Sequence, residues 1–290
     1  MKKRFNSRIT TSGLPLNEVN LFRQLSDELN TRFSSSTFIS ETHGRKGFIE
    51  YQSRIKGGRK VVEISDLLII TYNKMKHEFR INFLQAKYKK TPYKNFISFR
   101  GNVYQRELLA EKPDIMDIHS LGFHRNILNF TNYMSITAYG IFYVDTSGEI
   151  DFLYTMPEYL FPKNLHTKTG ITNFYFSRGS YCPYLRCTYG MMHDETISTC
   201  SLNIFTSELL AGRIGAPLDH MYIPYVSRKI TSMLSFNPNN VVLSQLNEIL
   251  KEYGQDREYE SNIAGMNYSD YYPNTLIVIT DGNRIDEEIY

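Results

Sequence analysis

Apolar residues first fall into register at residues 14–33, LPLNEVNLFRQLSDELNTRF, where Val19, Phe22, Leu25, Leu29 and Phe33 recur at three- and four-residue spacing. That is the period of one helix face, and Asn17 stands where a cap would, so an amphipathic helix is expected, broken by the SSST run at 34–37. Short apolar or alternating runs follow. TFIS, GFIEYQSRI and KVVEISDLLIITY predict strands, the last two joined over Gly57-Gly58, and RINFLQAKY predicts another after the polar NKMKHE. VYQRELLAEKP (103–113) predicts a short helix that stops before Pro113, because the residue preceding a proline is pushed out of helical geometry. SITAYGIFYVD and GEIDFLYT predict a hairpin over Thr146-Ser147-Gly148. Beyond residue 160 the pattern is tyrosine-rich and aperiodic until TSELLAGRIG and NNVVLSQLNEILKEYG, two helices with Gly near their ends, and TLIVITDGNRI, a late strand and turn. No repeat or low-complexity linker divides the chain. A change of charge and pattern near residue 160 separates an expected core, 1–160, from a C-terminal region, 161–290, whose role the pattern leaves open and which could pack with the core as one domain.

Polar residues stand where core strands would not place them. Asp66 heads the run Leu67-Leu68-Ile69-Ile70, apolar on both faces and therefore expected at the centre of a sheet. Gln85 and Lys87 lie two apart and so share a strand face, with Leu84 and Ala86 on the other. A buried charge is costly without a partner. A metal ion would supply one: hard oxygens from Asp66 and its neighbours suit Mg2+ or Mn2+, with Lys87 alongside to orient or deprotonate a water and offset phosphate charge. Plainer roles exist for the same residues. Asp66 could cap a strand through backbone N–H groups, and Lys87 could extend from a strand end into water.

The order helix, strand, Asp-headed strand, turn, strand with x-x-K, helix resembles the PD-(D/E)xK nuclease superfamily over roughly residues 15–115. The run EISDLL…FLQAK is also similar to one in uncharacterised bacterial proteins. The superfamily resemblance implies a restriction-endonuclease-like α/β (α+β) fold, a mixed central sheet flanked by helices, here with a C-terminal α/β extension. It implies that Asp66 and Gln85 bind the catalytic metal, that Lys87 assists the attacking water, and that Gln105 reaches the site from the following helix. Gln85 departs from the usual Asp or Glu, so one anionic ligand becomes a neutral carbonyl oxygen, although Gln also occurs in the superfamily. Glu63 and Glu50 are the nearby acids that could compensate, and Glu28 could supply a helix-borne one. Glu63 stands three residues before Asp66, which in a regular strand sends it to the opposite face.

Composition narrows the classes of function. Hydrophobic residues make up 41% and charged residues 22% of the 290, an ordinary globular composition. No apolar run is long enough for a membrane span, and MKKRFNSRITTSG has no apolar segment behind its basic residues, so no signal peptide or membrane association is expected. Three cysteines within Cys182–Cys200 make no secreted disulfide framework, and the cytoplasm is the expected compartment. Cys182, Cys187, His193 and Cys200 could instead hold zinc, although their spacing matches no standard knuckle. Residues 1–100 hold 20 Lys/Arg against 8 Asp/Glu while the rest hold 13 against 22, a local +12 beside a local −9. A basic half of that size suits nucleic acid, and equally a solvated face with no partner. Among 22 Tyr and 18 Phe some could stack on bases. Walker A, G-x-S-x-G, H-E-x-x-H and kinase motifs are lacking.

The expectation is therefore a Mg2+- or Mn2+-dependent nuclease acting on DNA rather than RNA, in a bacterial defence or restriction role, with a protein partner or second copy needed for activation. The alternative from another class is a catalytically inactive nuclease-like subunit that binds nucleic acid or serves assembly.

Overall fold

Apolar strands from both ends of the sequence build the central sheet. In a computed structural model of the chain the described residues are 1–33, 36–40, 48–90, 96–116, 127–129, 131, 133–177, 184–189, 192–199, 201–255 and 274–281. The chain begins with α1 (Lys2–Ser12), α2 (Glu18–Phe33), β1 (Thr37–Ser40), β2 (Phe48–Gln52), β3 (Arg59–Glu63), β4 (Leu67–Asn73) and β5 (Glu78–Lys89). Next come β6 (Phe96–Asn102), α3 (Val103–Glu111), β7 (Ile115–Met116), β8 (Thr137–Val144), β9 (Ile150–Thr155), β10 (Phe161–Pro162) and β11 (Ile171–Ser177). It continues with β12 (Tyr184–Tyr189), β13 (Met192–Thr199), α4 (Leu202–Leu210), β14 (Ala216–Pro217), α5 (Ile223–Phe236), α6 (Val241–Gln255) and β15 (Asn274–Thr280).

The central sheet runs β1-β15-β4-β5-β8-β9-β13-β12, with β14 also beside β5. β15 is parallel to β4 and β5 parallel to β8, whereas the other pairings are antiparallel, so the sheet is mixed and the fold is α+β. The sheet takes strands from both sides of residue 160. One face carries Leu67, Ile69, Leu84, Phe142, Phe152 and Val278 against α1, α2 and α4, through Phe5, Leu21, Leu25 and Phe205. The other carries Leu68, Ile70, Ile81, Phe83 and Ile277 against α5 and α6, and against Ile49, Tyr51 and Val62 of a small β3-β2-β7 sheet. Further along that face Tyr139, Ile141 and Leu153 meet Phe99 and Phe174 of a second small sheet, β10-β11-β6. Each fully buried Leu or Phe contributes about 1.5–3 kcal/mol, so both layers are held mainly by these contacts.

Several expectations meet a different outcome. KVVEISDLLIITY is not one strand: the chain bends at Ile64, and β3 and β4 join different sheets. Ile64 and Ser65 are both buried as the chain crosses from the outer sheet to the central one, which ends the alternation a single strand requires. In α2 the buried stripe is Leu21, Leu25, Leu29 and Phe33, while Val19 is 54% exposed. At 3.6 residues per turn Val19 lies about 160° round the helix from Leu21. α1, β6 and α5 were not legible in the pattern. Gly57 and Gly58 do form the β2–β3 turn, with φ of 64° and 71°, a left-handed conformation in which glycine has no Cβ to clash. Cys182 and Cys200 of the suggested zinc set lie outside the described residues, as do the side chains of Cys187 and His193.

Candidate active site

Asp66 stands immediately before β4 rather than within it. Its N–H donates to the Leu84 carbonyl at 3.0 Å, extending the β4–β5 ladder by one residue. Beyond that point β5 runs on without β4 and, among the described residues, pairs with β8, Gln85 opposite Tyr139 and Lys87 opposite Ile141. The edge that β4 leaves begins at Ala86, which is buried and whose N–H donates to Asp66 Oδ2 at 2.8 Å. The Gln85 side-chain amide donates to the same oxygen. Asp66 is thus the strand cap that its sequence context allowed, and the cap brings its carboxylate onto the face that carries Gln85 and Lys87.

Gln105 enters from the first turn of α3. That helix is started by Asn102, whose side chain accepts from the Tyr104 N–H at 2.9 Å. The Gln105 amide nitrogen donates to the Glu63 carbonyl at 3.1 Å and to the Gln85 side-chain carbonyl. A continuous chain of hydrogen bonds therefore joins Glu63, Gln105, Gln85 and Asp66. Gln85 and Gln105 are buried, and Asp66 is half-buried. Lys87 follows on the same face of β5, half-exposed, and among the described residues it makes no hydrogen bond or ion pair.

The other acids lie differently. Glu63 ends β3 in the outer sheet and reaches this chain through its main-chain carbonyl. Glu50 pairs with Arg59 at 3.8 Å on the outer sheet. Glu28 is buried on α2, across the central sheet, and pairs with Arg8 at 3.3 Å. Among the described residues no three His, Cys, Asp or Glu side chains gather as a metal site would gather them. Asp66 Oδ2 is met by two nitrogens, the Gln85 NH2 and the Ala86 N–H, while Oδ1 makes no hydrogen bond among the described residues. The Asp66 carboxylate and retained waters fit a hard ion such as Mg2+ or Mn2+, which keeps much of its hydration, and the Gln85 oxygen would join them once that amide turned toward Asp66.

One neighbour escaped the sequence reading. The Tyr139 hydroxyl, opposite Gln85, is buried with no hydrogen-bond partner among the described residues. Burial pushes its ionisation up, Arg106 opposes that and Asp66 adds to it, so the hydroxyl lies in the field of both. The alternation in TAYGIFYV places a polar atom on a core face, the one sign of it in sequence.

Basic residues surround α3 and the outer sheet. Arg54 pairs with Glu111 at 3.3 Å, the Lys60 ammonium lies 5.0 Å from the Tyr104 ring centroid, and Lys56 donates to the Thr167 carbonyl. Residues 41–47 and 91–95, with Arg45, Lys46 and Lys94, lie outside the described residues. No described helix is long and apolar enough to cross a membrane. No protein-family model matches the chain, and no curated protein matches it.

Proposed function

We propose that the protein is a metal-dependent nuclease that hydrolyses phosphodiester bonds, DNA before RNA, with its site at Asp66, Gln85, Lys87 and Gln105. The observation that carries this reading is the junction of Asp66 with Gln85 and Gln105 by hydrogen bonds, with Lys87, which has no hydrogen bond or ion pair among the described residues, two residues along the same strand face. Asp66 and Gln85 would hold Mg2+ or Mn2+. Such an ion, when bound, supplies Lewis-acid stabilisation of phosphate charge and lowers the pKa of a water. Lys87 orients that water and offsets charge developing on the phosphate; its half-exposed position leaves it able to reach substrate. The surplus of basic residues in the first hundred draws the polyanion toward this half of the chain. A defence or restriction role, gated by a protein partner or second copy, extends the reading by analogy with the resemblance.

A second reading has its own support. Asp66 Oδ2 is already satisfied by the Gln85 amide and the Ala86 N–H, an arrangement that needs no ion. On that reading the protein keeps a nuclease-like shape as a nucleic-acid-binding or assembly subunit. Cleavage of DNA and RNA with Mn2+, by wild type, Lys87→Ala and Asp66→Ala, separates the two. The nuclease reading expects cleavage by wild type alone, with folding and nucleic-acid affinity nearly intact in Lys87→Ala. Inactivity of all three, in the presence of any protein that copurifies with the chain, leaves the binding subunit.

A further inference from the structure

The two amides at the site cannot be turned independently. Glu63 contributes a main-chain carbonyl and Asp66 a carboxylate, so both ends of the hydrogen-bond chain accept. Gln105 must therefore direct its NH2 at Glu63, and the same NH2 meets the Gln85 carbonyl. Gln85 is left with its NH2 toward Asp66 and its oxygen turned away, which is the wrong way round for a cation ligand. Were Gln85 alone to turn, its NH2 would face that of Gln105, two donors opposed with Gln85 2% and Gln105 7% exposed.

We infer that Gln105 is a positioning residue that holds the Gln85 amide in a cation-refusing orientation, and that the Gln85 oxygen turns to Asp66 when a divalent ion binds. This rests on the metal-dependent reading of the site and adds to it a built-in opposition to metal, so that the site loads only at the upper end of Mg2+ or Mn2+ concentrations. Nucleic acid or a partner that displaces α3 from Glu63 would release Gln85 and promote loading.

Mn2+ affinity of the full-length protein, followed by loss of the free-ion electron paramagnetic resonance signal, tests it. Gln105→Leu removes the donor that fixes Gln85 and should tighten Mn2+ binding about five- to tenfold, the worth of one hydrogen bond. In a Gln85→Leu background, where there is no amide to turn, Gln105→Leu should change nothing. Asp66→Asn reports whether the ion measured is at this site. Binding that Asp66→Asn abolishes but Gln105→Leu leaves unchanged or weakens overturns the inference and keeps the nuclease reading. Mn2+ binding that is absent or indifferent to Asp66→Asn overturns both. Should Gln105→Leu not fold, side-chain amide resonances of the wild type under Mg2+ titration decide instead. Joint movement of the Gln85 and Gln105 signals supports the inference, and stationary signals alongside Asp66-dependent binding reject it.

Discussion

Gln85 has a task that no carboxylate could share in the metal-free protein: it donates to Asp66 while accepting from Gln105. Gln85→Glu loses that donor and sets two carboxylates in contact, so urea unfolding without metal should show a loss of about 1–3 kcal/mol. Addition of Mg2+ should recover much of that loss, because the ion answers both charges. Tyr139→Phe is expected to behave in the opposite sense. It deletes a buried hydroxyl that has no partner among the described residues, so the urea midpoint should hold or rise. At this scale the sequence was informative where a backbone period governs. Gln85 and Lys87 share a face because strands alternate, and that was legible. That Asp66 grips the Ala86 N–H depends on where β4 starts, and KVVEISDLLIITY read as one strand concealed that start. The Glu63 carbonyl as anchor for Gln105 is main-chain chemistry that residue types do not announce.

Among the elements, α3 is the piece that fixes the site, and a second carboxylate fixes α3. Glu107 is 3% exposed, accepts from the Tyr51 and Ser53 hydroxyls at 2.7 Å each, and receives the Arg54 and Ile55 N–H groups at 2.6 and 3.0 Å. The outer β2–β3 sheet is thereby tied to the helix that carries Gln105. Glu107→Ala leaves the Ser53 hydroxyl and the Arg54 and Ile55 N–H groups seeking partners, while the Tyr51 hydroxyl keeps the Tyr104 carbonyl, and a loss of about 2–4 kcal/mol is expected in chemical denaturation. Activity should fall with it, since Glu63 and Gln105 would drift apart. The strongly periodic elements, α2, β5, the β8–β9 hairpin and α6, could be read in advance. α1 could not, because Phe5 is its only buried residue and KKRFNSRITTS offers no apolar stripe. α5 was hidden by a tyrosine- and proline-containing start, although Val226, Ile230 and Met233 follow helical spacing once it is recognised.

For the molecule as a whole, charge makes two further predictions. Nucleic-acid affinity should fall steeply as salt rises from about 50 to 200 mM, because displaced counterions drive such binding. Affinity insensitive to salt would remove nucleic acid as the partner. Acid stability should depend on the join between α1 and the β8–β9 hairpin, where the Lys2 ammonium meets Asp145 at 2.5 Å, Asp151 at 3.1 Å and Glu149 at 3.6 Å. Burial alone would raise the Asp145 carboxyl. The bonds from Lys2 and Ser147 and the Ser147 and Glu149 N–H groups outweigh burial and hold it at about 2 against an ordinary 3.8. A depressed carboxyl stabilises the fold fully above its unfolded value and loses that contribution as pH falls through the folded one. Thermal melts of the wild type should therefore decline steadily between about pH 4 and pH 2, and Lys2→Met should flatten that limb.

β15 has a consequence for synthesis. Residues 274–280 lie between β1 and β4, so the sheet position beside β4 stays vacant until about 200 residues beyond β4 have been made. A nascent chain leaving the ribosome would carry β4 with a bare apolar edge, and β1 would have no place to dock, until β15 emerged. At about 5–20 residues per second the interval between β4 and β15 lasts roughly 10–40 s, a window in which holdase chaperones or self-association compete for that edge. Chains stalled short of residue 274 should be captured by such chaperones and digested by protease along β1, whereas chains stalled with residue 280 clear of the exit tunnel should resist.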